Sequence, residues 1–194
     1  MDKIVMMYFT SLPLILAGIC NMVFTKTKLY KKHKHPIDNR KVLKDNKRIF
    51  GDNKTWLGGI SMIFLCFIFQ LLMGIWCDIS STEHLNTLYD KMPNIPIFNV
   101  IYGMLIGIVY IVCELPNSFI KRRIDIPSGK TVSGIKGILF FIIDQFDSIV
   151  GVMAVLWLFS GMSFVAYIQY VLLGGCTHLL INGILYGIHI RKNL

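Results

Sequence analysis

Apolar residues in this chain come in five long runs, at about 4–24, 57–77, 97–115, 138–159 and 163–188, parted by polar stretches. Each run is near the ~20 residues that a helix needs to cross the hydrocarbon core of a bilayer. The pattern predicts an all-α, polytopic membrane protein with five transmembrane helices, a single integral-membrane domain over 1–194. The first run is too long and too weakly charged at its start for a secretory signal, so it reads as a retained span. The polar stretches differ in kind. Residues 26–55 form a long basic loop punctuated by Pro36, Ile37, Val42, Leu43, Ile49 and Phe50, which suggests that it folds rather than dangles. Residues 118–136 form a second basic loop, whereas 78–96 carries one lysine and three acids.

Charge turns this pattern into a topology. The chain has 20 Lys and Arg against 11 Asp and Glu, a net charge of +9. Of the basic residues, eleven fall in 26–55, five in 121–136 and two at Arg191 and Lys192, leaving Lys3 and Lys91 elsewhere. With five spans these basic stretches share one side, which the positive-inside rule makes the cytoplasm, with the N-terminus outside. The excess therefore reads as a topology signal on a cell-membrane protein, and RNA binding by 26–55 is the weaker alternative. Cys20, Cys66, Cys77, Cys113 and Cys176 are scattered through apolar runs without a C-x-x-C, so neither a disulfide framework nor a zinc site follows.

Acids inside the apolar runs change the picture again. Glu114 lies at the end of the third run, and Asp144 and Asp147 lie within the fourth. A carboxylate at membrane depth costs ~2.5–3.5 kcal/mol or more, so such groups need partners and mark functional sites. Asp144 and Asp147 are spaced i,i+3 and share a helix face; Gly151 keeps that face open to close approach. A metal cation is one partner for the pair, and a lysine or arginine that merely holds helices together is the other. Pro116 should break or kink the third helix just after Glu114, leaving Asn117, Ser118, Lys121 and Arg122 on the first turns of a restarted helix. The GDNKT motif at 51–55 offers a turn, a lysine and a hydroxyl to a phosphate, but it lacks P-loop spacing. A basic collar for anionic lipid headgroups is the competing view of this loop. Lys130 and Lys136 in a glycine-rich link could approach a ligand, and His178 and Asn182 read as inter-helix hydrogen-bonding groups.

Two passages resemble a known family. PIDNRKVLKDNKRIFGDNKTWLGG at 36–59 is similar to the cytoplasmic loop of the CDP-archaeol synthases, and ELPNSFIKRR followed by DQFD is similar to their two acidic elements. The wider class, the CDP-diacylglycerol synthases, has an arginine where Gln145 stands. The chain departs from the pattern at Asn39-Arg40, Lys47, Leu57 and Glu114, the last standing for an aspartate. The resemblance implies Mg²⁺-dependent transfer of a cytidylyl group from CTP to a membrane lipid phosphate, releasing pyrophosphate and forming a CDP-lipid. It implies that Asp144, Asp147 and Glu114 hold the metal, and that Ser118, Lys121 and Arg122 act with the aspartates in catalysis. It further implies that Asp38, Arg48, Asp52, Lys54 and Thr55, with Lys121 and Arg122, bind CTP and its phosphates. Whether the acceptor is phosphatidate, an ether-linked archaeal-type lipid or a polyprenyl phosphate stays open. A small transporter or ion-handling protein built on the same acids is the alternative.

Overall fold

A backbone in hydrocarbon has no water to bond, so each apolar run satisfies its N–H and C=O groups internally by coiling into a helix. A computed structural model of the chain describes residues 3–130 and 132–188. In order it contains α1 (Lys3–Phe24), the short α2 (Lys28–His33), α3 (Trp56–Ser80), α4 (Pro96–Arg123), α5 (Ile135–Ser160) and α6 (Phe164–Gly187). Two 3-10 turns, Glu83–Leu85 and Thr87–Asp90, lie between α3 and α4. All of the helices except α2 are long and apolar enough to span a membrane. The protein is thus a multi-pass membrane protein of the all-α class.

The spans are held by small residues. α3 and α4 form the central pair, α1 lies against α3, α5 against α4 and α6 against α5. A Cβ on Gly103 would lie 2.5 Å from the Phe67 Cα, and one on Gly107 would lie 2.6 Å from the Ile63 Cα. Only glycine lets the two backbones approach so closely. Gly151 does the same between α5 and α4, where a Cβ would meet Cys113 Sγ at 2.2 Å. Ile60, Phe64, Ile101, Ile108, Leu158 and Leu180 point outward and exposed, as a lipid-facing surface requires. Trp56 and Trp76 stand exposed near the two ends of α3, the depth at which indole rings suit a membrane interface.

The third span corrects the expectation of a broken helix. α4 runs unbroken through Pro116 to Arg123. Proline removes one N–H, but ending the helix there would strand several more backbone groups at membrane depth, so the coil resumes. Ser118–Arg123 consequently belong to α4, and the second basic loop shrinks to 124–134. The fourth span likewise begins at Ile135, earlier than the hydropathy pattern suggested. Arg191 and Lys192 lie outside the described residues.

The long basic loop is folded. Its ends meet through Ile37 N donating to Lys54 O at 2.8 Å and Trp56 N donating to His35 O at 3.0 Å. Thr55 caps α3 by accepting from Gly58 N at 3.1 Å, and its hydroxyl meets Tyr30 OH at 2.7 Å, which docks α2 on the cap. The centre of the loop is Asp38, whose enclosed carboxylate accepts from Arg40 N, Phe50 N and Gly51 N at 3.0 Å each. Arg48 adds Nη2 at 2.7 Å and Nε at 3.2 Å. Burial alone would raise the Asp38 pKa, but Arg48 and the three backbone donors outweigh it and hold the group well below the usual carboxylate range. Arg123, on the last turn of α4, fastens the loop to the bundle through Nη1, which donates to both Asp45 oxygens at 2.7 and 2.9 Å, and through Nη2, which donates to Arg48 O.

Candidate functional site

Five positions on α4 (Glu114, Asn117, Ser118, Lys121 and Arg122) follow i, i+3, i+4, i+7, i+8 spacing, so they share one face. That face looks across to Asp144 and Asp147 on α5. The seven residues line one cavity of 570 Å³, roofed by the two basic loops and floored by the spans. The volume falls within the ~300–1,000 Å³ of ordinary ligand sites. The junction of the loops is tight: a Cβ on Gly51, which has φ 96°, would lie 3.0 Å from Ser128 Oγ.

The aspartates are joined by an amide. Asn117 Nδ2 donates to Asp144 Oδ1 at 2.6 Å and to Asp147 Oδ2 at 2.7 Å. Lys121 pairs with Asp144, and Lys54 reaches from the loop to pair with Glu114. Burial disfavours the Lys54 ammonium, but Glu114 and, more weakly, Asp147 and Asp144 outweigh it and raise its pKa. Among the described residues, Arg122 Nε and Nη1 and Asn117 Oδ1 are buried without a hydrogen bond. Buried polar atoms of this kind cost free energy unless a ligand meets them. The lining holds five cations (Lys26, Lys54, Lys121, Arg122 and Lys130) against three carboxylates. An excess of two positive charges suits a polyanion.

The arrangement also suits a divalent cation carried in with such a ligand. Among the described residues no three acidic, histidine or cysteine side chains converge to hold a metal by themselves. Mg²⁺ takes one or two carboxylates and fills its shell with phosphate oxygens and water, which matches Asp144 and Asp147 together. Glu114, on the facing helix, is paired with Lys54.

The sequence-derived residues divide in two. Lys54, Thr55, Glu114, Ser118, Lys121, Arg122, Asp144 and Asp147 line the cavity. Asp38, Arg48 and Asp52 do not; Arg48 bonds Asp38 and Asp52 and so braces the loop. Asn117 was placed near the site by its position after Pro116, but its role as a bridge was not legible. Asn53, Ser128 and Tyr30 were missed altogether, and all three line the cavity. His178 and Asn182 do bond across helices, to Gln145 O at 3.3 Å and to Gln145 Oε1 at 2.8 Å.

Comparison with known proteins bears on the family and the fold. The family model described as CarS-like CDP-archaeol synthase matches residues 2–193. A CDP-archaeol synthase from Pyrobaculum islandicum is 29% identical over 161 residues, which cover 83% of this chain and 82% of that protein. One from Staphylothermus marinus is 30% identical over 166 residues, covering 81% and 77% respectively. One from Methanosarcina barkeri is 27% identical, covering 81% and 88%. A solved structure described as an intramembrane enzyme for archaeal membrane lipids biosynthesis superposes with a TM-score of 0.60 at 20% identity, covering 90% of this chain and 91% of the other. None of these relatives supports the ion-handling alternative.

Proposed function

From the premise that this chain belongs to the CarS-like CDP-archaeol synthase family, we propose that it transfers the cytidylyl group of CTP to the phosphate of an archaeol-type membrane lipid. The observation that carries the reading is one cavity at the end of a membrane bundle holding both an intramembrane carboxylate pair and unpartnered buried arginine nitrogens. An acceptor phosphate oxygen attacks the α-phosphorus, the bond to the β-phosphate oxygen breaks, and pyrophosphate leaves. No protein nucleophile is needed, because the attacking oxygen belongs to the lipid.

Two polyanions must meet, so the chain's work is charge placement. Arg122 and Lys121 face the polyphosphate from α4, Lys54 faces it from the loop, and Ser118 donates to a phosphate oxygen. Asp144 and Asp147 would hold Mg²⁺, with Glu114 as a further oxygen donor once Lys54 turns to the ligand. When bound, the metal supplies positive charge to the transferring phosphoryl oxygens. Asn117 keeps the two carboxylates at one spacing. The basic end of the bundle faces the cytoplasm, where CTP is found, and the N-terminus lies outside.

Purified protein given CTP, Mg²⁺ and an archaeol-type phosphate should release pyrophosphate and form a CDP-lipid. Absence of both products with every lipid phosphate, diacyl or ether-linked, would overturn the reading.

A further inference from the structure

An embedded acceptor needs a way in from the side, and α4, continuous through Pro116, does not supply one by a break in the helix. The opening lies on the opposite wall. A narrow groove runs between α1, α5 and α6, lined almost wholly by apolar atoms, and it shares Gly18, Met22, Tyr110 and His178 with the polar cavity. On α1 the lining passes from Tyr8 through Ser11, Ile15 and Gly18 to Met22, and then to Thr25 in the polar cavity. The steps alternate three and four residues, so this is one straight stripe of the helix. The part from Tyr8 to Met22 is roughly 21 Å long at 1.5 Å per residue, more than the ~15 Å depth of one leaflet.

The seam is loosely closed. α1 and α6 touch sparingly, with Thr177 Oγ1 donating to Tyr8 OH at 3.2 Å as one tie. At Gly18, which lines both cavities, no side chain or neighbouring helix lies within 4 Å of the place a Cβ would take. An apolar groove beside a cationic chamber suits an amphiphile with an anionic head, and with about 70 Å³ of free volume the seam must part to admit its chain.

Resting on the function proposed above, we propose that this groove holds one hydrocarbon chain of the acceptor lipid, with Gly18 as the gap through which the chain gives way to the phosphate. The groove thereby selects an acceptor whose chain begins close to its phosphate, and it sets the direction from which that phosphate meets CTP.

Ile15→Trp narrows the groove without reaching the polar cavity, and Gly183→Phe, at an equally open glycine on α6 that lines neither cavity, serves as control. Both are made in the full-length protein in nanodiscs. With a long-chain dialkylglycerol phosphate, Ile15→Trp should lose about tenfold or more in kcat/KM, since the chain's burial is what the groove contributes. CTP binding by calorimetry and turnover of a short-chain, water-soluble dialkylglycerol phosphate should match the unsubstituted protein. Equal loss with both acceptors, or loss with neither, overturns the proposal.

A second measurement needs no variant and no turnover. A dialkylglycerol phosphate with a diazirine at mid-chain should crosslink the unsubstituted protein within 8–22, 149–153 and 173–181 or at Tyr110, and excess plain dialkylglycerol phosphate should suppress this. Crosslinks elsewhere, or equal suppression by excess phosphatidylcholine, would show that the groove does not hold the acceptor. An unsubstituted protein inactive with every lipid phosphate refutes the function itself, while the crosslink still decides the groove.

Discussion

Asp38→Asn should open the long basic loop and weaken nucleotide binding as a whole, although Asp38 lies outside the cavity. Oδ1 accepts from Arg40 N and Arg48 Nη2, and Oδ2 accepts from Arg48 Nε, Phe50 N and Gly51 N. The amide has the same shape but keeps one accepting oxygen and turns the other into a donor facing donors. At least two bonds go whichever way it is turned. Hydrogen bonds to a charged group are worth roughly 1.5–3 kcal/mol each, and breaking a buried ion pair costs about 3–5 kcal/mol. The two figures describe the same loss, so about 3–5 kcal/mol of loop stability is at stake. At ~1.4 kcal/mol per decade, amide exchange over 36–54 in nanodiscs should lose two to three and a half orders of magnitude of protection. CTP and CMP should weaken together, because the roof of the site is lost and no single phosphate contact is. Acid should mimic the substitution. The folded pKa of Asp38 is depressed, so its stabilisation is full above the unfolded value of ~3.9 and is lost as pH falls through the folded one. Protection should therefore hold level down to about pH 5, and the difference between the proteins should shrink only in stronger acid. Unchanged exchange together with selective loss of CTP over CMP would refute the bracing role and make Asp38 a direct ligand.

Other substitutions probe the remaining parts. Asp144→Asn and Asp147→Asn should each abolish pyrophosphate release; near-normal turnover would assign the pair to packing. Asp147→Asn should leave the melting temperature level or raised, since removing an intramembrane charge lowers the cost of insertion, whereas Asp144→Asn also strands Lys121 and should lower it. Lys54→Ala should weaken CTP more than CMP in calorimetric titration, as expected of a contact to the outer phosphates. Gly151→Leu should destabilise the α4–α5 seam by at least ~1–3 kcal/mol, read as a lowered melting temperature, because its Cβ alone would lie 2.2 Å from Cys113 Sγ. A single cysteine at the exposed Lys44 should react with an impermeant reagent only from the cytoplasmic side; labelling from outside would invert the topology.

The spans and the acids were legible because both break a base pattern: twenty apolar residues in a row, and charge where none is affordable. Asp144 and Asp147 announced a shared face by their spacing alone. Pro116 misled because its local cost is readable from sequence, whereas the cost of not resuming the helix comes from the surrounding hydrocarbon. Asp38 and Arg48 were grouped with the nucleotide because a motif records which residues occur together and says nothing of what each one touches. Ten residues separate the pair, and only the turn at Asn39, Arg40 and Asn46, all at positive φ, brings them into contact. Asn117 bridges two residues from another helix, so its partners are properties of packing that no local spacing encodes.

The uninterrupted α4 also makes the enzyme sensitive to the bilayer it sits in. Glu114 and Lys121 sit on one continuous helix, seven residues and roughly 10 Å apart along the axis, so their depth is tied to that helix's apolar length. The depth of the acids below the headgroup plane is then set by how the membrane matches that length, and a bilayer thinner or thicker by a few Å is met by tilt or by lipid deformation. Turnover should accordingly pass through an optimum with membrane thickness, with the lipid acting as both substrate and gauge.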